Sequence, residues 1–487
     1  MSALQVHAND NVGVALTDLD AATQVLGVTL RHAIPKGHKF ALRAIARNEA
    51  VTKYGHPIGI ATQAVAVGEH VHSHNLTTGL RSGDQYHYAP LAAPELARDP
   101  NNTFEGYLRA NGQAGTRNEI WVLNTVGCVN ATAARVARAC EASASVEGIH
   151  AFSHPFGCSQ LGDDLDYTRK IISALAAHPN AGGVVIIGLG CENNQLSRLL
   201  EDIDPIFHER IRSFTAQEVE DEEASGMRSI HDLMEIMSQD KRTTLPASKL
   251  ALGMKCGGSD AFSGLTANPL VGLMTDRVTA LDGRAILTEV PEMFGAEQLL
   301  MNRAENAEVY AQTVELINQF KDYFTAHNQP VSENPSPGNI AGGITTLEEK
   351  SLGAIQKGGS AVVRDVIDYG ERATQSGLTL LQAPGNDAVS STALTAAGAN
   401  LILFTTGRGT PLGFPVPTIK IASNSGLAER KPRWIDFNAG AILDGTPLPD
   451  VADQLWQTIL DIASGKPACN ERNDYREIAI WKTGVTL

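Results

Sequence analysis

Two hydrophobic rhythms divide the chain. Residues 1–85 alternate apolar and polar positions in short runs, "NVGVALTDLD" and "VTLRHAIPKGHKFALRAIARNEAVTKYGHPIGIATQAVAVGEHVHSHN", broken at Pro-Lys-Gly, Tyr-Gly-His-Pro and Gly-Glu-His. Period-two alternation between turn residues predicts a small all-β unit. Further on the runs become continuously apolar and end abruptly: "IWVLNTVGCVN", "GIHAFSHPFGCSQLGDD", "GGVVIIGLGCENN", "LALGMKCGGSD", "RAILTEVPE", "LTLLQAPGND", "NLILFTTGRGTP" and "TIKIASN". Such runs, separated by helix-like stretches, predict buried parallel strands and an α/β core. One of those stretches, "NATAARVARACEASA", reads as a helix from Asn130 to Ala144, with Asn130 as its cap and Cys140 as a core filler.

Between the two rhythms, "DQYHYAPLAAPELARDPNNT" has no apolar period and reads as a linker. The acidic "QEVEDEEASGM" and polar "SQDKRTTLPASK" mark a second boundary. The domains expected are therefore a β unit (1–85), a linker (86–103), an α/β domain (104–245) and a second α/β domain (246–487). A polar linker also predicts that the β unit is separable from the rest.

Four of the apolar runs end in a thiol: Cys128 after Gly127, Cys158 after Gly157, Cys191 after Gly190, and Cys256 before Gly257 and Gly258. Ligands bind at the carboxyl ends of parallel strands, so the four thiols are expected to face one crevice. Around them stand Glu192, and Glu289 and Glu292 at the end of another run, as further candidate metal ligands, the imidazole of His154, and Asn193, Asn194 and Asp260 as candidate substrate contacts. Thiolate, imidazole and carboxylate together suit divalent iron or manganese. The paired spacing of a zinc ribbon is absent. Each cysteine could instead be a small buried hydrophobe, and each glutamate a solvated or helix-capping charge.

Two loops look fitted to a small polar substrate. "TTGRGTP" offers Thr406, Arg408 and Thr410, and "PSPGNIAGGITTLEEKSLG" offers Asn339; Arg408 could fork onto a carboxylate. No phosphate-loop or dinucleotide fingerprint accompanies them. His70, His72 and His74, at alternate positions, form a possible second site for a metal or an anion, or simply a polar strand face.

Charge narrows the partners. With 39 basic against 54 acidic side chains the chain carries a formal −15, which argues against nucleic acid and membrane surfaces. No apolar run approaches a membrane span, and the first residues have neither a basic nor an apolar leader region. A cytoplasmic protein with six reduced cysteines is expected.

The motifs "KYGHPIGIA", "GEHVHSHN", "RANGQAGTRNEIWVLNTVGCVN", "SHPFGCSQLGDD", "GLGCENNQ", "CGGSDAFSGLTANP", "LTEVPEMFGAEQLL", "ENPSPGNIAGGITTLEEKSLG", "APGND", "TTGRGTP" and "CNERNDYREIAIWKTGVTL" closely resemble the altronate/galactarate dehydratase family, in order and over essentially the whole chain. The resemblance implies an N-terminal β-clip domain of the SAF type, a linker, a second domain used for dimerisation, and a C-terminal Rossmann-like domain with a metal site. It further implies an Fe2+- or Mn2+-dependent hydro-lyase, a homodimer, converting D-altronate to 2-dehydro-3-deoxy-D-gluconate in hexuronate (galacturonate) catabolism. Galactarate is the nearest rival substrate. Two other readings stay open: an iron–sulfur dehydratase using three of Cys128, Cys158, Cys191 and Cys256, and a non-enzymatic sugar-acid sensor, which no DNA-reading helix supports.

Dehydration removes the proton beside the carboxylate and expels the neighbouring hydroxyl. A positioned acid and base contribute about 10²–10⁴-fold, short of the ~8–23 kcal/mol that enzymes supply. The remainder calls for electrostatic stabilisation by a divalent metal and an arginine. His154 is the candidate acid or base and Arg408 the anion partner.

Overall fold

The computed structural model describes residues 2–80, 86–96, 98–99 and 101–487. The expected end of the β unit at residue 85 lies outside the described residues.

The N-terminal unit is all-β, as its alternation predicts. A four-stranded antiparallel sheet (Ala3–Leu4, Val12–Ala15, Lys39–Ala41, His70–Val71) sits with a three-stranded one (Ala50–Lys53, His56–Ala61, Leu76–Thr77) and a short hairpin. Two lysines inside this alternation, Lys39 and Lys53, are completely buried. Their ammonium groups lie 2.8 Å from the two carboxylate oxygens of Glu349, far along the chain. Burial alone would push Glu349 up, but the two lysines outweigh it and hold its carboxyl well below the usual range. The unit is therefore not closed on itself, contrary to the separability that its linker predicts: its two interior cations share one counter-ion from the C-terminal domain.

The middle domain is built on four parallel strands, Glu119–Asn124, Ile149–Ala151, Ala181–Gly188 and Ile211–Thr215. Numbered along the chain, their spatial order is 2-1-3-4. Ile120 and Val122 pack with Val136, Ile230 and Leu233 on one face, while Trp121 and Leu123 pack with Ile171 and Leu175 on the other. Helices on both faces explain why these runs are apolar at every position. The acidic segment does not separate domains. Asp221 accepts from the Ala224 amide and caps helix Glu222–Met237, whose first turn carries Glu222 and Glu223, and the helix packs on this sheet. The predicted helix at Asn130 ends at Ala139 with Cys140 as its C-cap. Asn130 does not cap it, because its side chain is bonded to Asn124 and to the carbonyl of His154.

The C-terminal domain carries seven parallel strands: Ala251–Cys256, Arg284–Leu287, Val363–Ile367, Gly377–Leu381, Leu401–Thr406, Thr418–Ala422 and Phe437–Asn438. Their spatial order is 3-4-2-1-5-6-7. The α/β reading, a Rossmann-like parallel core with a small β-clip-like domain before it, agrees with this architecture. Both sheets share one topological property. The first strand lies inside the sheet, and the chain builds one side before crossing to the other, which leaves a switch-point crevice beyond that strand's carboxyl end.

Candidate functional site

Cys256 is the last residue of strand Ala251–Cys256, at the switch point of the larger sheet. The neighbouring strand, Arg284–Leu287, runs into a short 3-10 turn over Val290–Glu292. Glu289 enters that turn with φ 68°, a left-handed conformation unusual for a non-glycine residue, and the turn brings both Glu289 and Glu292 back to the thiol. The Cys256 sulfur is 3.4 Å from Glu289 Oε2 and 3.0 Å from Glu292 Oε2, and its backbone N–H donates to Glu289 at 2.9 Å. All three side chains are buried.

Lysines surround this group. Lys255 Nζ contacts Glu289 and lies 2.8 Å from Asp387; Lys357 Nζ is 3.4 Å from Glu289, and Lys350 Nζ is 2.8 Å from Glu292. Three ammonium groups thus face three carboxylates, the balance a buried ionic cluster requires. Burial would raise Glu292, but Lys350, Lys255 and Lys357 outweigh it and hold its carboxyl at about 2. Burial, and then the charge of Glu292, push Glu289 up. Burial and the two glutamates also push the Cys256 thiol well up, so the sulfur keeps its proton until a cation takes the proton's place.

The cluster opens on a cavity of about 550 Å³, bounded among others by Gly258, Glu292, Asn339, Lys350 and Asp387. That is room for a small sugar acid. Another cavity, of about 480 Å³, lies against Ile60, Leu80, Leu299 and Leu352 and is mainly apolar.

The lysines were not legible as site residues. Their only signal is their position inside or beside apolar runs, in "LALGMKCGG" and "LEEKSLGAIQKGG". Asn339 holds the cavity wall: it donates to the carbonyl of Ser259 at 2.8 Å and accepts from Ser336. Arg408 is exposed beside it, donating to the carbonyl of Gly338 at 3.0 Å. Asp260 is a buried loop anchor, accepting from the amides of Phe262 and Ser263 and from the Ser423 hydroxyl. Thr406 and Thr410 accept from the amides of Gly409 and Leu412 and fix their own loop.

The four thiols do not share a crevice. Cys128, Cys158 and Cys191 are exposed at the strand ends of the middle domain, whereas Cys256 is buried in the C-terminal one. The strand ends belong to two sheets, which the repeated motif alone does not reveal. Glu192 stays with the middle sheet, accepting from Thr125 Oγ1 and from the Leu189 and Gly190 amides. Asn193 accepts from the Ser159 amide and Asn194 donates to the Thr125 carbonyl, so both stitch loops together there. His154 is no acid or base of the C-terminal cavity. Its ring is buried, with Nε2 2.8 Å from the Asn124 carbonyl and Nδ1 accepting from the Phe156 amide.

A second group of donors forms in the N-terminal unit. His38 Nδ1 is 3.0 Å from His70 Nε2, and one nitrogen from each of His38, His70 and His72 falls within 4.8 Å of the others. The antiparallel register that pairs Phe40 with His70 brings His38 across, while His74 is exposed and outside the group. Burial, followed by neighbouring imidazoles and Lys39, lowers His70 to about 3 and His72 to about 4. They are neutral imidazoles, the form that ligates metals. Among the described residues these two triads are the groups with ion-holding spacing.

Family models match successive parts of the chain. A model of the D-galactarate/altronate dehydratase C-terminal domain matches residues 247–486, one of the second domain of D-galactarate dehydratase/altronate hydrolase matches 106–238, and one of the altronate/galactarate dehydratase SAF domain matches 1–79. The chain is 50% identical to altronate dehydratase of Escherichia coli and 47% identical to that of Bacillus subtilis, in each case over 100% of both chains. It is 36% identical to galactarate dehydratase (L-threo-forming) of Escherichia coli over 95% of this chain and 93% of that one. On identity, coverage and domain order together, the chain belongs to the D-galactarate/altronate dehydratase family.

Proposed function

We propose that this chain is a metal-dependent hydro-lyase that removes water from D-altronate, giving 2-dehydro-3-deoxy-D-gluconate in hexuronate catabolism. The observation that carries the reading is the Cys256–Glu289–Glu292 group at the switch point, opening on a cavity lined by Lys350 and Asp387, in a chain half identical over its whole length to an altronate dehydratase.

The donor set fits a divalent ion. One thiol and two carboxylates with ligand atoms within 4.8 Å of one another suit ferrous iron or manganese. Such an ion, when bound, supplies Lewis-acid stabilisation of a carboxylate that gains a second negative charge. The protein's own groups do the rest. Asp387 lies on the cavity wall, tied to Lys255, and accepts the proton from the carbon beside the substrate carboxylate. Lys350 would lose its charge by burial, but Glu292 keeps it protonated, and it stabilises the charge that develops and gives a proton to the departing hydroxyl, which leaves as water. Arg408, at the rim, engages the anionic end of the sugar acid.

Chelation should abolish keto-acid production, and ferrous iron or manganese under reducing conditions should restore it. Full activity in demonstrably metal-free protein would overturn the reading. Assayed side by side, D-altronate should be turned over faster than galactarate; the reverse order would reassign the substrate. Light scattering should report a homodimer. No helix among the described residues is long and apolar enough to cross a membrane, in keeping with the proposed cytoplasmic location.

A further inference from the structure

The middle domain has its own switch point, and three thiols stand at it. Its first strand, Glu119–Asn124, lies between Ile149–Ala151 and Ala181–Gly188, and Cys128, Cys158 and Cys191 follow the carboxyl ends of these three adjacent strands. The loops that carry them are tied backbone to backbone. The Gly127 amide donates to the Phe156 carbonyl at 2.9 Å, and the Asn194 amide donates to the Gly157 carbonyl at 3.0 Å. Gly157 has φ +103°, and a Cβ there would stand 2.1 Å from the Thr125 carbonyl oxygen, so the approach of the loops requires glycine. All three cysteines are free and exposed.

A second observation points to a ligand. Asn124 Oδ1, Gln160 Nε2 and Asn194 Oδ1 are buried without any hydrogen-bond partner. Each belongs to one of the three thiol-bearing segments, and the three residues are 0%, 2% and 1% exposed. Each amide is bonded through its other end, but an unpaired buried polar atom is costly, and three such atoms in the three adjoining segments are an arrangement that a bound group would satisfy. Helices Asn130–Ala139 and Gly162–Ala176 also begin at these loops, so their positive ends favour an anionic occupant.

The spacing argues against a single ion. The three sulfurs are not among the triads whose donor atoms all fall within 4.8 Å of one another. Thiolates on a single ion, at about 2.3 Å from the metal, must stand closer than that to each other. Thiolates on separate irons of a cluster stand further apart. We propose that Cys128, Cys158 and Cys191 hold an iron–sulfur cluster in the middle domain, distinct from the C-terminal ion site, with one iron left without a protein ligand. Soft thiolates at an open switch point are its natural donors.

The test does not depend on turnover, so its failure and that of the proposed hydro-lyase reading are distinguishable. Full-length protein is incubated anaerobically with ferric iron, sulfide and excess thiol, which reduces part of the iron, then desalted. A brown chromophore with about four iron and four acid-labile sulfide per chain is expected, together with protection of these three cysteines from alkylation. Cys128→Ser, Cys158→Ser and Cys191→Ser should each lose most of the sulfide with an unchanged circular dichroism spectrum, while Cys256→Ser and Cys140→Ser keep it. Absence of labile sulfide and of alkylation protection in the unmutated protein would overturn the proposal. So would a chromophore that survives the triple Cys→Ser variant or disappears with Cys256→Ser.

Discussion

The middle and C-terminal domains place cysteine at the same topological position and surround it in opposite ways. At the larger sheet a single thiol is buried with two carboxylates, three lysines and Asp387 within reach. At the smaller sheet three thiols are exposed, and their nearest polar company is amides and hydroxyls, such as Gln217 Nε2 at 3.6 Å from Cys191 and the Ser159 hydroxyl at 3.8 Å from Cys158. Topology fixes where a ligand can sit in both sheets; the depth of the crevice decides what chemistry can be kept there. A buried centre must match every charge internally. An open one can leave thiols uncommitted until a soft ligand arrives.

The sharpest way to break this contrast is to unbalance the buried centre. Glu289→Gln leaves Lys255 and Lys357 short of a counter-charge and should cost about 3–5 kcal/mol in urea unfolding. Cys128→Ser, at an exposed position, should stay within about 0.5 kcal/mol. Comparable losses from the two would mean that the buried charges are not energetically distinct. Next in size is the chemistry: Asp387→Asn should lower turnover by about 10²–10⁴-fold while bound metal stays near the parent value, and its stability should fall by less than that of Glu289→Gln, because Asp387 is partly exposed and Lys255 keeps Glu289. Unchanged turnover would remove Asp387 from its proposed role as base.

Accessibility sharpens the comparison without mutation. In cluster-free native protein, mass spectrometry after brief alkylation should find Cys128, Cys158 and Cys191 modified, and Cys140, Cys256 and Cys469 modified only after denaturation. The smallest effect lies outside both sheets. His70 and His72 titrate at about 3 and about 4 when folded, against 6.5 ordinarily. The unfolded chain therefore binds more protons between those values, and stability should fall as pH drops from 6.5 toward 4. His70→Gln should flatten that slope; an unaltered slope would place the titrating groups elsewhere.

How much of this was legible follows from burial. Parallel strands covered on both faces announce themselves, and the runs at 251–256, 284–287, 377–381, 401–406 and 418–422 all became strands. Strand Val363–Ile367 escaped notice because it is an edge strand, with Arg364 exposed and Asp365 half-buried. Cys256, Glu289 and Glu292 were readable as polar groups after apolar runs. Lys255, Lys350 and Lys357 were not, since a buried, paired lysine carries the same letter as a solvated one. Nor could the motif "Gly-Cys" say that its copies belong to two different sheets, which is a property of strand pairing. His38 was missed because its partners arrive across a strand register rather than along the chain.

The Glu349 bridge has a temporal meaning. Its two lysines leave the ribosome well before their shared counter-ion, which lies 310 and 296 residues downstream. At about 5–20 residues per second, synthesis of that interval takes on the order of 15–60 s. Through that time the nascent β unit holds two ammonium groups in an interior with nothing to neutralise them, and burying unpaired charge is costly. It consequently reaches its final packing late, as the C-terminal domain arrives, although it is made first.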